Sequence, residues 1–419
     1  MKKTVGKALI IYFLLVILFT SLLLTVSIIP RSMIKNNIYE SIKILKEEDE
    51  TFIKFSYGKV IRIDNSSDAI MLNIAYSVDD NNHFKSILLN ERNFVPDSNQ
   101  KHVDEEVGNL KYETEDFSMV EELENTFNEK DISARAYSKY WHGYLVLLRP
   151  MLVFLNIKQI RKIFFIILVI LLIILLYELK KKVAKRKVIF FFMGIMTIDL
   201  LLFSYVVQGV FTIMIALFIS IIIAKNKDIS REKYLLLMFI SGGLTAYLDF
   251  LTTPLLVGLL PIVVKNLIDS DSNNGKNIMT IIKEFIADIL VFTIGYVSLW
   301  VTKWILIDSF FHTRVIQKGI AQVKLRTTHD SGHIYPVVLN IKNSVNLYTI
   351  VLLGLFEGLF IYRIIKTHKI GEKKDIVYYL CILTIVVYYM IVNQHSIQHY
   401  FFTYKNIDII YLCLMLLCC

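Results

Sequence analysis

At 419 residues, 55% hydrophobic and only 20% charged, with a mean hydropathy of +0.53, the chain is too apolar for an ordinary soluble domain. Its net charge of +9 does not mark a nucleic-acid binder: residues 30–160 carry sixteen basic and twenty-two acidic residues, and no basic stripe carries interleaved aromatics. The excess sits in short basic blocks between apolar runs, as the positive-inside rule produces.

Lys2, Lys3 and Lys7 precede the apolar run Ala8 to Ile29, which has no small-residue cleavage site and is followed by Pro30-Arg31. It reads as an uncleaved first helix with a cytoplasmic N-terminus. Residues 30–160 then form a mostly soluble segment, a mixed extracytoplasmic loop domain that re-enters the membrane near 140–155. Its acidic stretch Asp104 to Glu129 reads as a solvated helical face, and Asn65-Ser66-Ser67 matches a short glycosylation sequon.

Residues 161–419 form the multi-helix domain. A helix at Ile163 to Leu179 meets the basic block Lys180 to Lys187, which belongs inside and so places the large loop outside. Val188 to Ala224 reads as two helices joined by a turn near Gln208-Gly209, and Tyr234 to Val264 as a hairpin turning at Asp249 to Pro254. Further spans are predicted at Glu284 to Ile307, Asn346 to Tyr362 and Ile376 to Asn393, with outer loops up to Val345 and at 394–406. The last run, Ile407 to Cys419, is a short final helix or a truncated one. The segments assigned inside hold twenty-one Lys and Arg, against five and one in the two later outer loops. The fold class is therefore an all-α integral membrane bundle of about ten transmembrane helices with an extracytoplasmic loop domain, in a multi-pass cell-membrane protein. The four cysteines (Cys381, Cys413, Cys418, Cys419) read as small lipid-facing residues; the terminal pair lacks a lipidation consensus.

Most of the unusual polar motifs fall on the outer side, where ionisable residues near the membrane are costly and mark function. Asp68, in Ile63 to Asn73, either caps a helix starting at Ala69 or stands ready as a general base, with Asp64 beside it. Asp79-Asp80-Asn81-Asn82 reads as a turn. In Tyr140 to Pro150, Trp141 and Tyr144 suit an interfacial anchor, His142 is a candidate substrate-binding residue, and Arg149 either snorkels or meets a lipid phosphate. Asp249, flanked by Leu248 and Phe250, caps the hairpin or serves the site. His395 and His399 at i, i+4 share a helix face suited to phosphate, sugar or a divalent metal, with Tyr404 and Lys405 following. No third ligand or His-Glu-x-x-His pattern specifies a metal, so no cofactor is fixed by the sequence and a divalent metal stays open. The P-loop, GxGxxG, GxSxG and kinase signatures are missing, and the inner loops are too short for an ATPase.

A first helix, a large outer loop with acidic residues and further spans with short loops resemble the GT-C superfamily of integral membrane glycosyltransferases. The comparison rests on Asp64 to Asn73, Tyr140 to Pro150, Asp249 to Pro254 and His395 to Lys405. The family's acidic residue follows the first helix closely, whereas Asp64 and Asp68 lie well downstream of Ile29. The resemblance implies transfer of a sugar from a polyprenyl-phosphate donor in the membrane to a cell-envelope glycan acceptor on the outer face. Asp68 would then deprotonate the acceptor, Asp249 would orient it, and Arg149 with His395, His399 or Lys405 would neutralise the departing lipid phosphate. The hairpin and Tyr140 to Phe154 would hold the polyprenyl tail. The alternative is a non-enzymatic transporter or flippase of an envelope lipid or glycan, which predicts ionisable residues deep in several helices; Asp199, Glu284, Asp288 and Glu357 approach that. The Asn-, Ile- and Lys-rich composition points to an AT-rich bacterial genome.

Overall fold

A computed structural model describes residues 2–48, 52–54, 60–62, 65–94, 119–129, 132–197, 206–226, 228–269, 275–328, 332–345, 347–367 and 372–418. Asp64, Asp199, His329 and most of the acidic stretch lie outside the described residues. The first helix, α1 (Lys2–Ser27), ends just before Pro30, whose extended backbone opens α2 (Arg31–Glu47). Helix α2 buries Ile34, Ile38, Ile42 and Leu45, an i, i+4, i+8, i+11 stripe, against the segment that follows.

That segment mixes short helices with two antiparallel strand pairs. Strands β1 (Phe52–Lys54) and β2 (Val60–Arg62) pair with each other, as do β3 (Glu91–Phe94) and β4 (Ser133–Ala136), with Glu91 opposite Ala136. Around them lie α3 (Asn65–Tyr76), α4 (His83–Leu89) and α5 (Met119–Phe127). Buried Asn73 ties three of these pieces together. Its amide donates to Asn93 O at 3.0 Å and Thr126 Oγ1 at 3.2 Å, while its carbonyl accepts from Ser77 Oγ at 2.8 Å. The described end of the acidic stretch is not wholly a solvated face: Glu122 is buried and pairs with Arg92 at 2.9 Å.

The chain then runs through α6 (Leu145–Leu152), α7 (Ile157–Lys180), α8 (Lys185–Thr197), α9 (Val207–Lys225), α10 (Arg231–Leu248), α11 (Pro254–Ile268) and α12 (Ile278–Phe311). It continues with α13 (Val315–Arg326), α14 (Tyr335–Ser344), α15 (Leu347–Thr367), α16 (Ile376–Ile391), α17 (Asn393–Gln398), α18 (Tyr400–Thr403) and α19 (Ile407–Leu417). Each of the predicted apolar runs contains at least one helix among the described residues. Among the described residues five are long and apolar enough to cross a membrane, at Thr4–Ser27, Ile157–Lys180, Ile278–Phe311, Lys373–Ile391 and Tyr400–Leu417, or six if the bent α14–α15 pair is counted as one span. Helices α9 and α11 are apolar but shorter.

Helices α10 and α12 form the closest pair. A Cβ on Gly242 would lie 2.1 Å from Phe292 O, and one on Gly295 would lie 2.2 Å from Phe239 O, so the two backbones touch through reciprocal glycines. Four sequence readings change. Gln208 and Gly209 lie inside α9, which starts at Val207 because the Asp68 carboxylate accepts the Val207 N–H at 2.8 Å. The loop up to Val345 contains α13 and α14. Cys381, Cys413 and Cys418 are buried rather than lipid-facing. Trp141 and Tyr144 are fully buried, so they pack inside rather than anchoring at an interface.

Candidate functional site

The five-residue turn between α10 and α11 is the meeting point of three distant segments. The loop 137–144 is fastened to it by Gly143 N–H, which donates to Tyr247 O at 2.8 Å. A Cβ at Gly143 would come within 2.4 Å of the Tyr247 ring, so only glycine fits. Two non-glycine residues hold left-handed backbone here, His142 (φ 55°) and Leu251 (φ 65°), flanking Phe250. Strain of this kind persists only where surrounding contacts over-determine it, and it gathers at functional sites. The Phe250 ring lies 4.8 Å from His142, 5.2 Å from Tyr144 and 5.5 Å from Tyr140.

All three tryptophans of the chain converge beside this turn. Trp141 Nε1 donates to Leu299 O at 2.7 Å, while Trp300 and Trp304 both donate to Lys139 O, at 2.6 and 2.9 Å. Helix α12 thereby fixes the loop from both sides. Tyr140 stacks on Trp300 at 5.9 Å, and the two form walls of a cavity of about 170 Å³ together with Tyr137, Leu251, Trp304 and Arg326. That space suits a headgroup rather than a whole lipid, since drug-sized ligands take about 300 Å³ or more.

The ring nitrogens of His395 and His142 are assigned by their neighbours. Arg326 has only donors, so its Nη1 gives a hydrogen bond to His395 Nδ1 at 2.7 Å, and His395 Nε2–H must donate to Leu251 O at 2.8 Å. His142 Nε2–H donates to Tyr137 O at 2.9 Å, leaving Nδ1 to accept from Tyr144 OH at 3.3 Å. His399 lies 4.8 Å from His395 and stacks on Phe402. Burial holds all three imidazoles neutral. It pushes His142 down to about 3, helped by the Lys303 charge, and His399 to about 3, helped by Arg326. His395 is lowered by burial, then by His399 and Arg326. Asp249, in the turn itself, accepts from Thr252 N–H at 3.0 Å and from the Thr252 hydroxyl; burial pushes its carboxyl up to about 6 against those bonds. Its charge reaches the cavity wall at Tyr140.

Sequence-predicted His142, Asp249, His395 and His399 are thus brought together. Asp68 is not with them. Its Oδ2 pairs with Arg161 at 2.8 Å, Arg161 also meets Glu48 at 2.7 Å, and Oδ1 holds the first turn of α9. It lies within the first turn of α3 rather than capping a helix from Ala69. Arg149 donates to Val26 O at 3.0 Å and to Ala75 O and Ile29 O, so its guanidinium closes the elbow between α1 and α2. Tyr404 and Lys405 are buried in the turn Tyr404–Asn406, packed between α11, α14 and α19. Asn65, of the sequon, is buried and donates to Leu45 O. No three His, Cys, Asp or Glu side chains among the described residues converge as metal ligands, and both nitrogens of His395 are occupied.

Two cations were missed by sequence reasoning. Arg326 sits on an amphipathic helix whose basic residues look like a solvated face, and only the fold turns it into the cavity. Lys303 is fully buried, with no hydrogen-bond partner for Nζ, and lies 5.4 Å over the Trp141 ring. Its signal was legible as a lysine inside an apolar run between Trp300 and Trp304. No family model, curated protein or solved structure matches the chain. The long apolar helices are compatible with a multi-pass membrane protein.

Proposed function

We propose that the chain is a ten-span cell-membrane glycosyltransferase, with its N-terminus cytoplasmic and residues 30–160 outside. It moves a sugar from a polyprenyl-phosphate donor to a cell-envelope acceptor at the outer face. The observation that carries this reading is Arg326. It lines an aromatic-walled cavity, donates to a neutral histidine, and pairs with no carboxylate among the described residues. Such a guanidinium keeps N–H donors for a phosphate, and Tyr140 and Trp300 offer flat apolar faces to a sugar ring.

In the reaction, the acceptor oxygen forms a bond to the anomeric carbon while the bond from that carbon to the phosphate oxygen breaks. Polyprenyl phosphate leaves with the electron pair, its charge met by Arg326, and the acceptor proton passes to a carboxylate. We assign that carboxylate to Asp249, because Asp68 is committed to a buried joint elsewhere. A base whose pKa lies near 6 is ionised at neutral pH and suited to proton transfer. A second reading, transport of an envelope lipid, draws on buried Lys303 within a candidate span.

The test is complementation of a deletion strain's envelope-glycan profile by wild type, Asp249→Asn, Arg326→Gln and Lys303→Met at matched membrane levels. Loss of the profile with Asp249→Asn and Arg326→Gln, together with loss of sugar transfer in washed membranes, supports the enzyme. Full restoration by both sinks it, and failure of Lys303→Met alone moves transport ahead.

A further inference from the structure

Helices α10, α11 and α12 border a second polar cavity, of about 210 Å³, at the end of α10 away from the Asp249 turn. Its wall holds three cations, Arg231, Lys265 and Lys276, and three carboxylates, Asp269, Glu284 and Asp288. They pair as Arg231 with Asp288 at 2.5 Å, Lys265 with Asp269 at 2.5 Å and Lys276 with Glu284 at 2.7 Å. The wall is therefore rich in both signs and neutral in sum. Arg231 Nη2 also donates to Glu284 O at 3.0 Å, which leaves the guanidinium N–H donors to spare among its five. Tyr234 is fully buried in the same wall, its ring centroid 5.6 Å from Arg231 and 5.1 Å from Lys265. Its hydroxyl closes no hydrogen bond among the described residues; the Asp288 carboxylate lies beside it without reaching bonding distance. A buried hydroxyl is seldom left without a partner, and the cavity is several times the roughly 30 Å³ of one water.

Arg231 lines a second hollow as well. This is an apolar groove of about 640 Å³ between α1, α10 and α12, whose walls include Val5, Ala8, Tyr12, Leu236, Phe239 and Ile294. It follows α1 from Thr4 to Tyr12, roughly 12 Å at 1.5 Å per residue. At its far end Tyr12 OH and Thr302 Oγ1 share a hydrogen bond at 2.5 Å, and beside Arg231 Lys7 of α1 pairs with Glu232 of α10 at 2.7 Å. A molecule that fills both hollows has a head carrying both signs of charge and an apolar tail that begins beside Arg231. A soluble zwitterion would leave the groove unused, and a purely anionic head would meet three carboxylates with nothing to offer them. We propose that the two hollows hold one phospholipid whose head carries a phosphate and an ammonium group. The phosphate accepts from Arg231 and the Tyr234 hydroxyl, the ammonium donates to Glu284 and Asp288, and one acyl chain lies in the groove. The inference rests neither on the proposed reaction nor on its site, which lies at the other end of α10.

The test uses the full-length protein in detergent, stripped of lipid, with bound lipid counted by native mass spectrometry and affinity read from the shift in thermal unfolding. The probes are phosphatidylethanolamine, phosphatidylglycerol, diacylglycerol and phosphoethanolamine. One phosphatidylethanolamine should bind, about tenfold or more tighter than any of the other three. Arg231→Gln should weaken it by about tenfold or more, and Tyr234→Phe by several-fold. Ala8→Trp fills the groove and removes no charged group; it should weaken binding as Arg231→Gln does, and it carries the test if Arg231→Gln fails to fold. Equal binding of phosphatidylglycerol or diacylglycerol makes the occupant ordinary boundary lipid and overturns the proposal. Unchanged phosphatidylethanolamine binding in folded Ala8→Trp and Tyr234→Phe overturns it as well. Phosphoethanolamine that binds as tightly as the whole lipid overturns it in favour of a soluble ligand.

Discussion

An arginine that donates to an imidazole nitrogen compels that imidazole to be neutral, and at His395 it also selects the tautomer that reaches Leu251 O. The same neutrality at His142 and His399 has a consequence for stability. Their folded pKa values, about 3, lie below the ordinary value near 6.5. Their contribution is therefore complete above pH 6.5 and is lost as pH falls, by up to about 1.4 kcal/mol per pH unit for each. Asp249 has the opposite sign: with its carboxyl raised to about 6, it favours the fold as pH drops from 6 towards 3.8. The two histidines outweigh it, so thermal unfolding in detergent should shift down between pH 7.5 and 5, and the His142→Gln variant should show a shallower slope. An unchanged midpoint would mean that the imidazoles are solvated. Asp68→Ala should cost about 1–3 kcal/mol, because the buried Val207 N–H loses its acceptor and Arg161 keeps only Glu48, read as lost membrane expression or a lowered unfolding midpoint.

At the scale of elements, the sequence was legible wherever a run was long and apolar. It marked α1, α7 and α12 and the α10–α11 hairpin with its turn at Asp249, because a 20-residue apolar stretch has few alternatives. It misplaced the turn before α9, because Gln208-Gly209 carries a local signal while the helix start is set by a carboxylate 139 positions away. It misread the cysteines for the same reason: an apolar helix does not say which side meets lipid. Cys381 and Cys413 should resist a membrane-permeant maleimide in the folded protein and react after denaturation; rapid labelling in the native state would place them at the lipid surface. The reciprocal glycines of α10 and α12 carry a sharper expectation. Gly295→Leu drives a side chain into Phe239 O and should abolish stable insertion, whereas Gly354→Leu, facing open space, should leave the monomer folded.

For the whole molecule, the proposed ten-span topology predicts a simple reporter pattern. A fusion enzyme active only outside the cytoplasm should work after residues 100 and 328 and fail after residues 185 and 370. The reverse pattern would invert the chain and move the candidate site to the inner face. What the sequence determined by itself was an apolar, helical chain with basic blocks alternating between long runs, since composition and charge asymmetry act without regard to which helix packs on which. It also supplied His142, Asp249, His395 and His399, whose polar chemistry stands out against their surroundings. The tertiary structure alone decided that Asp68 and Arg149 serve as joints, that Trp300 and Trp304 wall one cavity, and that Arg326 and Lys303 stand beside the turn. Those outcomes depend on residues 69 to 165 positions apart coming into contact, and no local pattern encodes such a meeting.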